Sequence, residues 1–242
     1  MNLLNSSNKK KIALLIDPDK PTKNFNKFID DATRFEIDFF FVGGSVVNNS
    51  VADVVCNIKK IAQNIPVILF PGNANQFTNK ADAILYLSLI SGKNPDFLIG
   101  QHITNSVEIK KSGIEVIPTG YILIDGGKET SVQKVSKTKP ISANDINLAV
   151  STAVAGELLG MQTIYLEAGS GAINSVTAEL INSVKNNIDK PLIVGGGIKS
   201  TKQISEIINA GADIIVVGNS LEDKPELLQN FVELVHAFNV RV

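Results

Sequence analysis

Residues 192–219 read LIVGGGIKSTKQISEIINAGADIIVVGN and contain one complete strand–helix–strand pattern. Two short apolar runs enclose a segment with helical periodicity, which begins at a capping box and ends at a glycine. Uninterrupted apolar runs are typical of parallel strands that are buried on both faces. The runs are residues 192–194 and 214–217, the helical face carries Ile204, Ile207 and Ile208, the capping box joins Ser200 to Gln203, and the glycine is Gly211.

The same alternation extends through the chain in both directions. Eight strand–helix units in one chain predict a (β/α)8 barrel, with residues 1–242 forming a single domain. The segment after the third run is short, so the third helix is expected to be degenerate. A doubly wound open sheet is the alternative fold. The apolar runs are residues 12–16, 39–42, 67–70, 83–89, 116–117, 163–166, 192–194 and 214–217.

The connection formed by residues 125–139 is long, polar and rich in Gly, Lys and Ser/Thr. The strand–helix alternation resumes after it without a change in composition. We therefore expect a mobile active-site loop here rather than a linker between domains.

Composition excludes several classes of protein. Lys and Arg number 23 against 24 Asp and Glu, a balance that argues against a general nucleic-acid binder. One cysteine cannot form an internal disulfide, and no apolar run approaches the 18 or so residues of a membrane helix. We expect a soluble cytoplasmic protein.

Glycines follow the last two predicted strands. Gly195, Gly196 and Gly197 follow the seventh strand, and Gly218-Asn219 follows the eighth. Backbone N–H groups at such turns form anion cradles, and the loops after strands seven and eight are the usual phosphate site of this barrel. Two glycine turns at these positions favour a site for a phosphate monoester, although either turn alone could serve only the chain reversal.

Asp17 follows the first strand and Ser45 follows the second. Neighbouring strands of a barrel place the two side chains at the same end. A carboxylate and a hydroxyl suit Mg²⁺, which accepts few protein ligands and keeps water or phosphate oxygens in its other positions. The alternative is that Asp17 caps the next helix.

Glu167 ends the sixth strand and shares a strand face with Tyr165. A carboxylate at the mouth of the barrel could accept a proton or hold a substrate hydroxyl. Alternatively, it could pair with a neighbouring Lys and only order the mouth.

Four motifs in order along the chain resemble those of the geranylgeranylglyceryl phosphate synthases, prenyltransferase barrels that include the bacterial heptaprenyl enzymes. The resemblance covers about residues 11–237. The form Ala168-Gly169-Ser170-Gly171 resembles the second branch of the family, as does Leu15, where the other enzymes tend to carry Lys. The motifs are LIDPDK at residues 15–20, FPGN at 70–73, YLEAGSG at 165–171 and VGGGI at 194–198.

The resemblance implies an ether-forming reaction between sn-glycerol 1-phosphate and an allylic prenyl diphosphate, with release of diphosphate. It also implies Mg²⁺ as cofactor, held by Asp17 and Ser45, and a homo-oligomer, either a dimer or a hexamer. Glu167 is expected to take the proton of the attacking hydroxyl, with Tyr165 beside it as a second catalytic residue. The implied glycerol-phosphate contacts are Tyr165, Leu166, Glu167, Ala168, Gly169, Ser170, Gly171, Gly196, Gly197, Gly218 and Asn219.

Geranylgeranyl diphosphate is the prenyl donor expected from the branch, and a longer heptaprenyl donor is the alternative. The prenyl tail needs an apolar groove. The expected lining residues are Tyr86, Phe97, Leu98, Ile99 and Tyr121.

Two other functions share the late phosphate loops. Sugar-phosphate isomerases of histidine or tryptophan biosynthesis need a second acid/base residue after strand five, where Thr119 and Tyr121 are expected instead of a carboxylate. A non-catalytic barrel that binds a phosphometabolite would not need Asp17, Ser45 and Glu167 together.

Overall fold

The computed structural model describes residues 3–5, 9–20, 24–218, 221, 224 and 226–241. Its strands form a closed parallel barrel in chain order, in which β1 pairs with both β2 and β8. The predicted (β/α)8 barrel is confirmed, and the open sheet is excluded. The strands are β1 Lys11–Ile16, β2 Phe39–Val42, β3 Val67–Leu69, β4 Ala83–Leu89, β5 Glu115–Leu123, β6 Thr163–Glu167, β7 Leu192–Gly195 and β8 Ile214–Val217.

Helices alternate with the strands except after β3. That connection contains only the 3₁₀ turn Ala74–Gln76, so the expected degenerate third helix is confirmed. None of the helices in the described parts of the chain is long and apolar enough to span a bilayer. The helices are α1 Phe25–Arg34, α2 Val51–Ile61, α3 Gln101–Ser112, α4 Ser131–Ser136, α5 Ile146–Leu158, α6 Ala178–Lys185, α7 Thr201–Asn209 and α8 Leu227–Arg241, and a π-helical turn, Asp96–Gly100, precedes α3.

Strand alternation divides the core into two layers. On β2, Phe39 and Phe41 pack inside the barrel, whereas Phe40 and Val42 pack against the surrounding helices. Both layers are apolar, which explains why each strand appears in the sequence as a continuous apolar run.

Strand β5 is longer than predicted. It continues through Pro118 and Gly120 to Leu123, although both residues usually mark the end of a strand. A Cβ atom on Gly120 would lie 2.8 Å from the Ile90 side chain and 3.0 Å from that of Ile164. Gly120 therefore permits close packing within a strand rather than a turn, and the predicted end at residues 118–121 is wrong.

The predicted loop at residues 125–139 contains helix α4. The Gln133 side chain accepts a hydrogen bond of 3.0 Å from the Thr130 N–H at the start of this helix. Capping of this kind satisfies donors that a helix end otherwise leaves free, so even a polar segment can form a helical turn. The predicted loop is therefore helical at residues 131–136.

Aspartates tie the opposite end of the barrel together. Asp38, Asp82 and Asp213 each precede a strand, and each accepts a hydrogen bond from an N–H of the preceding strand. The distances from the backbone nitrogen to the carboxylate oxygen lie between 2.8 and 2.9 Å. This end is occupied by structural contacts, whereas the loops at the other end surround a cavity.

Candidate active site

A polar cavity of about 730 Å³ lies at the carboxyl ends of the strands, where the active sites of such barrels are found. Most of the site residues predicted from the sequence line this cavity. These are Asp17, Ser45, Tyr165, Glu167, Ser170, Gly171, Gly196, Gly197 and Gly218.

Asp17 is held in place by its own loop. One carboxylate oxygen accepts the Asp19 N–H at 3.1 Å, and the other lies 3.2 Å from the Lys20 Nζ. The neighbouring Asp19 serves a different purpose, because its carboxylate accepts the N–H groups of Asn48 and Asn49 at 2.8 to 3.0 Å. Asp19 thereby joins the loop after β1 to the loop after β2.

The loop that carries Ser45 is held by the buried side chain of Gln76. The Gln76 amide donates to the Gly44 carbonyl at 2.6 Å and accepts the Gly44 N–H at 3.2 Å. A Cβ atom on Gly44 would lie 3.2 to 3.3 Å from the Asp17 carboxyl group, so the glycine leaves space for that side chain. These contacts bring the loops that carry Asp17 and Ser45 together at one wall of the cavity.

The donor set of Asp17 and Ser45 fits a magnesium ion that takes most of its oxygens from elsewhere. The described residues contain no group of three or more His, Cys, Asp or Glu side chains that could hold a metal. Mg²⁺ does not require such a cage, because it commonly binds through one or two carboxylates together with water and phosphate oxygens.

Glu167 is the last residue of β6 and is 6% exposed. Its Oε1 accepts the Gly169 N–H at 2.6 Å. Burial raises the pKa of this carboxyl group to about 7, although the Gly169 N–H and the Tyr165 hydroxyl favour the charged form. A carboxyl group that titrates near neutral pH is suited to general acid–base catalysis.

Two glycines, the last residue of β7 and the one after it, make room for these two side chains. A Cβ atom on Gly195 would lie 2.3 Å from the Tyr165 hydroxyl, and one on Gly196 would lie 2.4 Å from Glu167 Oε1. Gly196 also has a φ of +85°, which strongly favours glycine. Part of the glycine-rich signature therefore accommodates Glu167 and Tyr165, in addition to any contact with a phosphate.

The remaining predicted contacts occupy different places. Leu166 and Ala168 are buried in the outer layer, away from the cavity. Gly169 has a φ of +99° and directs its N–H to Glu167. Asn219 lies outside the described residues.

The cavity is also lined by three lysines that were not predicted from the sequence as site residues. They are Lys20, Lys199 and Lys224. Lys20 ends the motif LIDPDK and Lys199 directly follows VGGGI, so their position after strand ends was an available signal. Cationic side chains around a cavity with glycine-rich turns favour a ligand that carries phosphate groups.

The carboxylate of Asp125 follows the true end of β5, where the sequence predicted none. Its side chain is exposed and accepts the Gly127 N–H at 2.8 Å. It does not line the polar cavity. Asp125 caps a turn and does not supply the second acid/base residue of an isomerase.

A narrow, mostly apolar groove adjoins the polar cavity. Of the expected lining residues, Tyr86, Phe97 and Tyr121 line it, whereas Leu98 and Ile99 do not. Ile99 is 56% exposed. His102 and Asn105, from α3, also line the groove.

Hydrogen bonds attach the outer wall of the groove to the barrel. The Tyr86 hydroxyl donates to the His102 carbonyl at 2.8 Å, and the Ser88 hydroxyl donates to the Leu98 carbonyl at 2.7 Å. The Gln101 side chain accepts the Ala74 N–H at 2.9 Å. The groove therefore lies between β4 on one side and the π-helical turn and α3 on the other. The hydrogen bonds connect the two sides.

The sequence of this chain matches a known protein family and several of its relatives. A profile of the PcrB family matches residues 5–235. Proteins named geranylgeranylglyceryl phosphate synthase are 48% identical in Zunongwangia profunda, over 89% of this chain and 92% of the relative, and 45% identical in Spirosoma linguale, over 98% and 95%.

A solved structure is similar as well. It is the (S)-3-O-geranylgeranylglyceryl phosphate synthase of Thermoplasma acidophilum in complex with its substrate sn-glycerol-1-phosphate. The TM-score is 0.88 at 31% identity, and the alignment covers 96% of this chain and 94% of that one.

Proposed function

The chain belongs to the PcrB family, and we propose that it is a prenyltransferase that joins sn-glycerol 1-phosphate to geranylgeranyl diphosphate through an ether bond and releases diphosphate. One observation carries the proposal: a polar cavity with three lysines in its wall and a narrow apolar groove share part of their lining. The cavity suits phosphate groups and the groove suits an isoprenoid chain. The names of the relatives support the same pair of substrates.

The glycerol phosphate is assigned to the side of the cavity formed by β6, β7 and β8. Gly196, Gly197 and Gly218 present backbone at this side, and Lys199 adds a positive charge. Ser170 and Gly171 line the same cavity. A phosphate held here would leave the glycerol hydroxyls next to Glu167.

The diphosphate is assigned to the side formed by β1 and β2. Asp17 and Ser45 would hold a Mg²⁺ ion there, and Lys20 lies beside Asp17. When bound, the ion would neutralise negative charge that develops on the departing diphosphate.

The chemistry exchanges one carbon–oxygen bond for another. The bond between the allylic carbon and the diphosphate breaks, and its electron pair leaves with the diphosphate. The glycerol hydroxyl oxygen forms the new bond to that carbon and gives its proton to the Glu167 carboxylate. Alignment of the two reactants can remove about 7–11 kcal/mol of the barrier.

The test is an incubation of the protein with labelled sn-glycerol 1-phosphate, Mg²⁺ and prenyl diphosphates of graded length. We expect an ether product, formed fastest with the geranylgeranyl donor. Preference for the heptaprenyl donor would correct the chain length alone, whereas no product with any donor would refute the proposed function. Asp125→Asn is the matched control for variants of the carboxylates Asp17 and Glu167. Asp125 is an exposed carboxylate at the same barrel end, and its loss should leave the activity unchanged.

A further inference from the structure

Five residues line both the polar cavity and the apolar groove, and they mark the junction of the two spaces. They are Gly44, Ser45, Phe70, Tyr121 and Val132. In the proposed reaction the phosphate-bearing parts lie on one side of this junction and the prenyl tail on the other. The carbon that joins the tail to the diphosphate must therefore lie at the junction.

Two of the five junction residues, Phe70 and Tyr121, are aromatic and carry the largest side chains there. The Phe70 ring centroid lies 6.1 Å from that of Tyr121 and 5.4 Å from that of Tyr165, and the two tyrosine rings are 5.2 Å apart. Phe70 and Tyr121 keep 9% and 6% of their surface exposed, whereas Tyr165 is fully buried behind them. Phe70 and Tyr121 thus present aromatic surface to the junction, and Tyr165 supports it.

The backbone around Phe70 keeps the ring in place. The Phe70 N–H donates to the Val42 carbonyl at 2.8 Å. A Cβ atom on Gly43 would lie 2.1 Å from the Phe70 carbonyl oxygen, so only glycine allows this approach. The backbone of Phe70 is therefore fixed against the end of β2 rather than held by side-chain packing alone.

Tyr121 at the junction and Tyr165 behind it both remain neutral. Burial raises the pKa of Tyr121 and of Tyr165 well above the usual value, and the nearby Glu167 adds to the rise. Their rings therefore act as uncharged aromatic surfaces with negative faces.

We propose that Phe70 and Tyr121 are catalytic residues whose rings stabilise the positive charge that develops on the allylic carbon as its bond to diphosphate breaks. This inference rests on the proposed function. Aromatic faces attract cations within about 6 Å, and they do so most strongly where water is excluded. The rings supply no electrons to a bond: the pair of the broken bond leaves with the diphosphate, and the new bond comes from the glycerol hydroxyl.

Fluorination of Phe70 tests the inference with little change of shape. Mono-, di- and trifluorophenylalanine, incorporated at position 70 by codon suppression, withdraw charge from the ring face in steps. We expect the single-turnover rate to fall at each step, by up to about 30-fold in total, with little change in KM for the prenyl donor. The same series at Phe231, which is buried in the outer layer on α8 and lines neither space, is the control and should leave the rate unchanged.

Each other outcome has a definite meaning. A wild-type protein that forms the ether while its Phe70 series shows a constant rate would overturn the role of the ring but not the proposed function. Equal losses in the Phe70 and Phe231 series would also overturn it, because fluorine would then act through the packing of the protein in general. Absence of ether with the wild-type protein would refute the proposed function itself.

Tyr121 is tested by two substitutions. Tyr121→Phe keeps the aromatic face and should retain a rate within about threefold, whereas Tyr121→Leu should lose about 10-fold or more. Folding is checked by the melting temperature of both variants. A folded Leu variant with the wild-type rate would remove Tyr121 from the proposal.

Discussion

The ionisation of Glu167 is set by its surroundings. Its carboxylate is buried, accepts one N–H and titrates near pH 7. Glu167→Gln keeps the size of the side chain but removes its basicity. We expect kcat to fall about 10²–10⁴-fold, with KM for glycerol phosphate changed much less.

The pH dependence of kcat/KM distinguishes a base from a residue that only orders the site. In the wild-type protein the rate should rise with pH through a pKa near 7, which belongs to Glu167. Glu167→Gln should lose this limb and keep only the ionisation of the substrate phosphate near 6. A folded Gln variant with near-normal kcat would remove Glu167 from the mechanism.

The same carboxyl group should weaken the fold as pH rises. Its pKa is about 7 in the folded protein against 4.5 in the unfolded chain, so the unfolded chain loses its proton first. Stability due to this group is therefore greatest below pH 4.5 and is lost progressively up to pH 7, by about 3 kcal/mol. The Gln variant, compared with the wild type by denaturant unfolding, should gain about that much between pH 4 and pH 8; a constant difference would contradict the burial argument.

Asp17 carries the proposed metal site with little packing of its own. Asp17→Asn should remove most activity and leave the melting temperature nearly unchanged, since the side chain lies in a cavity. Chelation of divalent cations with EDTA should inactivate the wild-type protein equally, and added Mg²⁺ should restore it. Normal turnover in EDTA would refute the role of magnesium.

At the scale of secondary-structure elements, the glycine loops after β7 and β8 have different roles. An added Cβ on Gly196 would collide with Glu167 Oε1 at 2.4 Å, whereas one on Gly218 would meet the Leu15 carbonyl at 3.1 Å. Gly218→Ala should therefore fold and raise KM for glycerol phosphate about tenfold or more with kcat largely kept. Gly196→Ala should lower kcat as well, because it displaces the base.

Gly160→Ala is the control for backbone strain in this pair. Gly160 also has a positive φ, of +93°, but an added Cβ would meet nothing within 4 Å. Steady-state kinetics of Gly160→Ala should match those of the wild type despite a lower melting temperature. Equal losses for both substrates in Gly218→Ala would indicate that this loop shapes the barrel and does not bind the phosphate.

At the scale of the whole molecule, the proposed ligand would join loops that are distant in sequence. Asp17 and Gly218 line one cavity although the chain between them forms nearly the whole barrel. A ligand that binds only the folded state at 100 times its Kd adds about 2.7 kcal/mol of stability. sn-Glycerol 1-phosphate should therefore raise the melting temperature by about 5–10 °C, and inorganic phosphate by less; no shift at saturating concentration would contradict the assignment of the cavity.

The sequence determined the barrel and the general location of the site. Strands buried on both faces must be apolar throughout, so they appear as continuous runs, and the residues that follow them must line one end of a parallel barrel. Asp17, Ser45 and Glu167 could be found in this way because each follows or ends such a run. Strand β5 could not be delimited, because Gly120 is required there by its contact with Ile90 and Ile164, which lie in other parts of the chain.

Only the tertiary structure decided how these residues act. The raised pKa of Glu167 comes from burial, and the space for its side chain comes from Gly196, which directly follows the neighbouring strand β7. The junction of cavity and groove, with Phe70 beside Tyr121, joins the ends of β3 and β5. Burial and the distance between side chains on different strands depend on how the strands are arranged around the barrel, and no local pattern of residues records them.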